Sequence, residues 1–226
     1  MRKSLAVAVA ASSLALGATA CGSSSNSSGS SSSSGSSSST TSTPKPVADI
    51  TQLSGRSTGV ALDAGFVSAL KSLKLTPAPV GNATISTAGV ASFPITGGNV
   101  KYYKPGTVSP YVQGTIDHAG SGLSLTGGGK KVSLTDFVVD PGTSTLTGKV
   151  SVNGKTAVPS APLFFLDGRT LQPLKVNKGN GTAVLQGTTV KLKAEAAALL
   201  NKTFGVKALK AGLTIGVAKI TVNTGG

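Results

Sequence analysis

A single histidine, His118, and a single cysteine, Cys21, set narrow limits on the chemistry open to this chain of 226 residues. One Cys cannot close an intramolecular disulfide, and one Cys with one His cannot make a Cys/His zinc site. A Ser-His-Asp arrangement would have to use His118, yet no Gly-x-Ser-x-Gly elbow presents a serine to it. Asp117, next in sequence, points to the opposite face of a strand and is a poor orienting partner. Asp117 and His118 read together as solvent-facing residues near a turn at Ala119-Gly120. The acids Asp63, Asp117, Asp136, Asp140, Asp167 and Glu195 are spread singly, with Asp63 reading as a helix cap and Asp140 as a turn residue. Paired carboxylates for glycosidic cleavage and clustered carboxylates for calcium are therefore both disfavoured. Gly148 and Gly154-Lys155-Thr156 approach a phosphate loop, but five residues rather than four separate the glycines. These residue types point to a chain that acts by binding or by structure, not to an enzyme, and no metal site is expected.

Cys21 carries a different chemistry. Arg2 and Lys3 form a basic start, Leu5 to Leu16 an apolar run, and Ala18-Thr19-Ala20 a small-residue stretch before the cysteine, the layout of a secretory signal peptide. The run is shorter than the roughly 20 residues a spanning helix needs. With its one cysteine at the cleavage point, the segment resembles a bacterial lipoprotein signal over residues 1–20. That resemblance implies a diacylglycerol on the Cys21 thiol, two acyl chains being what stable anchoring requires. Residues 21–46, from the lipidated Cys21 through an almost wholly Ser, Thr and Gly stretch to Thr43-Pro44-Lys45-Pro46, cannot build a core and read as a disordered tether. Such a coil spans roughly 25–30 Å, from about 5–6 Å times the square root of its length. The expected address is the extracytoplasmic face of the cell membrane, with residues 47–226 as one folded domain.

The chain carries a formal charge of +14, and +11 once Arg2, Lys3 and Lys45 are set aside. Its lysines are scattered, Arg occurs in the domain only at Arg56 and Arg169, and no aromatic residues interleave with a basic run, so nucleic acid is not an expected partner. A basic surface instead suits anionic lipid or an anionic cell-wall polymer, which leaves an adhesive module as one alternative function.

Positioning any of these groups falls to short strands. Between Val47 and Val222 most segments alternate apolar and polar residues and stop at Gly, Asn-Gly or Asp-Pro-Gly. Expected strands include Ala83–Ser86, Val90–Ile95, Gly122–Leu125, Lys130–Val139, Leu146–Val152, Pro162–Leu166, Pro173–Asn177, Thr182–Leu192 and Leu213–Val222. Asn153-Gly154 is the strongest hairpin signal among them. Asp63 can cap a helix that places Phe66, Val67, Leu70 and Leu73 on one face and ends before Pro77, and Ala194 to Asn201 is a second helix. Together these give a mainly β domain, antiparallel and sandwich-like, expected as two packed sheets with one or two short helices.

The order of these pieces is itself informative. Thr84 to Tyr102, centred on Phe93-Pro94-Ile95-Thr96-Gly97-Gly98, then Gly120 to Leu146 with Gly127-Gly128-Gly129-Lys130 and Val139-Asp140, resembles the HtaA-type domain of actinobacterial envelope proteins. Val158 to Asp167 and Val190 to Glu195 with Phe204-Gly205 resemble its later half. The resemblance covers roughly Gly59 to Val222 and implies a possible haem ligand at the cell surface, with iron held through Tyr supported by His. Members that bind haem carry Trp and Tyr in the first strand-and-helix segment, whereas Gly59 to Lys74 here offers only Phe66. Tyr102, Tyr103, Tyr111 and His118 are then the candidate haem residues, and the bland alternative is rim packing of the tyrosines.

Overall fold

The computed structural model describes residues 43–224, which belong to one compact unit. The expected signal peptide, the anchor at Cys21 and most of the tether lie outside the described residues; Thr43 to Pro46 are irregular. In chain order the unit runs β1 (Ala48–Ile50), β2 (Ser57–Leu62), α1 (Ala64–Ser72), β3 (Thr76–Gly81), β4 (Thr84–Ile85), β5 (Val90–Pro94), β6 (Gly97–Tyr102), β7 (Val112–Gly127), β8 (Lys130–Asp140), β9 (Thr145–Val152), β10 (Lys155–Asp167), β11 (Lys175–Asn177), β12 (Thr182–Leu192), α2 (Ala194–Phe204) and β13 (Thr214–Asn223). The mainly β reading holds, and both helices stand where the capping and periodicity put them. Asp63 Oδ1 accepts from the main-chain N–H of Phe66 at 3.0 Å, and Phe66 and Leu70 are the buried residues of α1.

The layers expected as two sheets are opposite parts of one antiparallel sheet, ordered β1-β6-β7-β8-β9-β10-β12-β13-β2-β5-β4. Its curl follows from connectivity. Eight strand-to-strand steps separate β6 from β5, nearly 40 Å if flat at about 4.8 Å per step, yet only Ile95 and Thr96 join the two strands in the chain. Three peptide steps reach at most about 11 Å, so the sheet must fold over until β5 stands beside β7. Thr96 makes the seam: its N–H donates to the Asp117 carbonyl at 2.8 Å, and its Oγ1 accepts from the N–H of Ala119 at 2.9 Å.

Prolines hid one strand from sequence reading. Thr76-Pro77-Ala78-Pro79 looks like a breaker, but β3 pairs β7 along Thr76–Gly81 at a sheet border, where a missing N–H costs no ladder bond. The expected turn at Ala119-Gly120 is likewise corrected. It is a bulge inside the sixteen-residue β7, where Ala119, Gly120 and Ser121 oppose Asp136 alone. Asp136, at φ 55°, accepts from the Gly120 N–H at 2.9 Å and pairs with Lys149 at 2.8 Å. Before the bulge β7 pairs β6, and beyond it β3. The bend is what lets one strand serve both walls.

Candidate functional site

Inside the curl lies a cavity of about 650 Å³, within the few hundred to a thousand Å³ of small-molecule sites. Its wall comes from inward positions of ten strands, among them Val60, Phe93, Ile116, Val139, Leu146, Val190 and Ile220. Phe93, Phe137 and Phe164 run across it in successive edge-to-face contacts, with centroids 5.3 and 6.5 Å apart. Strand alternation explains the lining: in β7 the inward set before the bulge is Val112, Ile116 and His118, and Leu123 follows beyond it.

That phase overturns the solvent-facing reading of His118. Its side chain is among the most buried in the unit, 2% exposed, because it shares a face with Ile116 and stands just before the bulge. Asp117, on the other face, is only half-buried. His118 Nε2 and Thr58 Oγ1 lie 2.8 Å apart, joining β7 to β2 across the wall, while Nδ1 has no hydrogen-bond partner. Burial pushes the imidazole pKa down to about 4; the main chain of Phe137 and Ile116 and the charge of Asp117 act weakly the other way. The ring is therefore neutral at physiological pH. Asp117 contributes only this distant charge, as expected of an alternate residue.

The opening is marked by residues that line the cavity and yet reach solvent: Tyr111, Phe165 and Arg169. Register puts them at one end of the sheet, since Tyr102 is opposite Val112, and the β8–β9 turn and the end of β10 follow on the same side. Tyr102 and Tyr111 meet edge to face, 5.9 Å between centroids. Burial, and secondarily Tyr102, raises the Tyr111 pKa. Tyr103 faces away from the cavity, as alternation after Tyr102 requires. From Val112 to His118 the strand advances six residues, roughly 20 Å. The structure thus brings Tyr102 and Tyr111 together at the mouth and leaves His118 beyond the combined reach of either phenol and the imidazole to a shared iron.

A charged cluster at the end of β10 was missed in sequence; Asp167 and Arg169 border the cavity, whereas Lys191 lies on the outward phase of β12. Asp167, 6% exposed, accepts from Arg169 Nε at 2.9 Å and Nη2 at 2.6 Å, and from Lys191 Nζ at 2.8 Å. The Arg169 and Lys191 hydrogen bonds hold its carboxyl well below the usual carboxylate range. Asp167-Gly168-Arg169 after an apolar run was the available signal: a turn at the end of a buried strand that carries opposite charges two residues apart. Lys191 reaches the cluster only through the β10–β12 pairing, which sequence did not reveal. A smaller cavity of about 220 Å³ lies under α2, against Leu134, Val158 and Leu163. The near phosphate loop is, as the hairpin signal indicated, the β9–β10 turn, and a Cβ on Gly148 would press Phe137 and Leu163.

No family model and no curated protein sequence matches the chain. Among solved structures it is similar to the C-terminal domain of HtaA from Corynebacterium glutamicum, with a TM-score of 0.52 and 14% identity over 78% of this chain and 99% of that one. The N-terminal domain of the same protein gives 0.44 at 11% identity, covering 77% and 99% of the two chains. Heme-binding protein HtaB from that organism gives 0.40 at 11%, covering 76% and 94%. The first of these carries the conclusion that the described unit has the HtaA-type fold; at such identity the likeness concerns the fold alone.

Proposed function

We propose that the chain is an exported envelope lipoprotein whose HtaA-type domain captures one small, largely apolar ligand in the cavity of the curled sheet, without catalysis. The observation that carries the reading is the 650 Å³ cavity itself, walled largely by aliphatic and phenyl groups, with Tyr111, Phe165 and Arg169 among the lining residues that reach solvent. Supporting the address are the basic, apolar and small-residue segments that end at Cys21. A titration of the Cys21→Ala chain, which requires no detergent, with a neutral polarity-sensitive dye should give saturable one-to-one emission. Ala218→Phe, which places a ring in the cavity at a 6% exposed wall position, should abolish it with little change in melting temperature. Ala183→Leu, a lining position on the neighbouring strand β12, guards against a folding failure in the first variant. A dye signal identical in all three chains would end the proposal. The anchor is tested separately: a radioactive fatty acid should label the wild type and not Cys21→Ala.

Haem is the second reading, favoured by the Tyr102–Tyr111 pair at the mouth of an apolar cavity. The donor set suits it in part. Either phenol could hold ferric iron, which supplies ligand exchange when haem is bound, whereas His118 is out of reach and would serve only as wall. A hemin titration should then give a stoichiometric Soret shift that Tyr102→Phe with Tyr111→Phe removes and His118→Ala retains. No shift in the wild type excludes haem.

A further inference from the structure

Charge is sorted along the strands. Near the Val112 end of β7, Asp49 pairs with Lys101, and Asp167 with Arg169 and Lys191. At the Gly127 end the tips of the β7–β8 and β9–β10 hairpins meet the last turns of α1 and α2. Lys130 Nζ donates to the Thr203 carbonyl of α2 at 2.6 Å. The Asn153 N–H donates to the Lys131 carbonyl, and Asn153 Oδ1 accepts from the Lys131 N–H, both at 2.8 Å. A Cβ on Gly127 would stand 2.8 Å from the Lys74 carbonyl oxygen just after α1. Every charged side chain on these four segments is an exposed lysine: Lys71, Lys74, Lys130, Lys131, Lys155 and Lys202.

Helix termini account for part of this pole. The C-terminal end of a helix favours a cation, and Lys71, Lys130 and Lys202 take that place. Lys74, Lys131 and Lys155 have no such use, since their ammonium groups make no ion pair among the described residues. Asp136 lies five residues along β8 from Lys131, roughly 16 Å, and is bonded to Lys149 at 2.8 Å. Glu195 stands in the first turn of α2, seven residues before Lys202, roughly 10 Å along the helix. Across a screening length of about 8–10 Å neither offsets the pole. Six like charges crowd one end of the domain, a self-repulsion that a bound polyanion relieves.

We infer that this pole docks on a linear polyanion of the cell envelope, a polymer with phosphodiester groups along its chain; the inference rests on the exported reading above for where such a polymer is met, not on the cavity. Ammonium groups without a guanidinium among them act as point charges, suited to charge strung along a flexible chain rather than to the planar fork of a carboxylate. Phe204, the aromatic residue of these segments, packs against the core, so a nucleobase finds no platform. A lipid surface fits less well. The exposed large apolar residues Val47, Phe165, Val176 and Val217 lie on other elements, leaving the pole none to enter a bilayer. The chain also joins the domain at the other end: the Val47 N–H donates to the Tyr102 carbonyl at 2.7 Å, and Tyr102 pairs with Val112. An anchored domain therefore holds its lysine pole at the end remote from the attachment.

Fluorescence anisotropy of end-labelled synthetic poly(glycerol phosphate) with the Cys21→Ala chain tests this, with polygalacturonate and vesicles of equimolar phosphatidylglycerol and phosphatidylcholine in parallel. At about 0.7 counterion released per lysine on a flexible polyanion, six lysines should cost roughly two orders of magnitude in affinity between about 50 and 200 mM salt. Lys74→Gln, Lys131→Gln and Lys155→Gln together should weaken binding about tenfold or more at the lower salt and halve the salt slope, at an unchanged melting temperature. Lys104→Gln, Lys175→Gln and Lys178→Gln remove the same charge beyond Tyr102 and beside the start of β12, and should bind as the Cys21→Ala chain does. Equal losses in the two triple variants reduce the effect to net charge and overturn the pole. Absence of binding at the lower salt, or binding that salt does not weaken, overturns it as well. Polygalacturonate bound as tightly overturns the phosphodiester, and vesicles bound more tightly than either polymer move the assignment to a lipid surface. The dye titration above is independent of all these outcomes, so the cavity reading and the pole fail separately.

Discussion

Protonating His118 should cost the fold more than any other single titration between neutral pH and pH 4.5. The ring is buried in an apolar wall, with its pKa at about 4 against an ordinary 6.5, so the unfolded chain binds a proton that the folded one refuses. The unfolded state therefore holds more protons throughout this window, and stability rises with pH across it, complete above about 6.5 and lost as pH falls toward 4. At about 1.4 kcal/mol per pH unit for one proton, the fall from pH 7.5 to 4.5 removes roughly 2–3 kcal/mol. For a unit of this size that is a drop of about 5–10 °C in melting temperature. The carboxyls of Asp136 and Asp167 are held below their usual range, so their share is lost at more acid pH and does not mask the effect. Urea and thermal melts of wild type and His118→Gln at the two pH values give the measurement. The variant should be weaker at pH 7.5, since it disturbs the bond to Thr58, but should lose much less on acidification. Parallel pH dependences in the two proteins would refute the buried, neutral imidazole.

Other substitutions probe the frame. A Cβ on Gly122 in β7 would drive into the main chain of β8 at Leu134, so Gly122→Ala should lower urea stability by about 1–3 kcal/mol or prevent folding. Asp63→Ala removes the cap on α1, about 1 kcal/mol by denaturant melt, and Asp63→Asn should restore most of it. Leu163, 1% exposed and packed against Gly148, should cost about 2–5 kcal/mol on truncation to Ala, with the dye signal retained because it does not line the large cavity.

Much of this protein was legible because its signals are local. Asp63 before an apolar stripe at helical spacing specifies α1; Asn153-Gly154 between alternating runs specifies the β9–β10 hairpin; and Thr182 to Leu192 stands in the structure with the bounds its alternation gives. Each depends on residues within a turn or a strand of one another, so composition and period suffice. The exclusion of zinc and disulfide chemistry was equally direct, a matter of one Cys and one His. What sequence could not carry was which face turns inward once the sheet closes. His118 shares its phase with Val112 and Ile116, but only the curl makes that face the wall of a cavity rather than a surface. Lys191 meets Asp167 through a pairing between strands more than twenty residues apart, and the tyrosines and His118 are separated by strand rise along one β7. Closure of the sheet turns alternation into inside and outside, and that long-range step decided which side chains line the cavity.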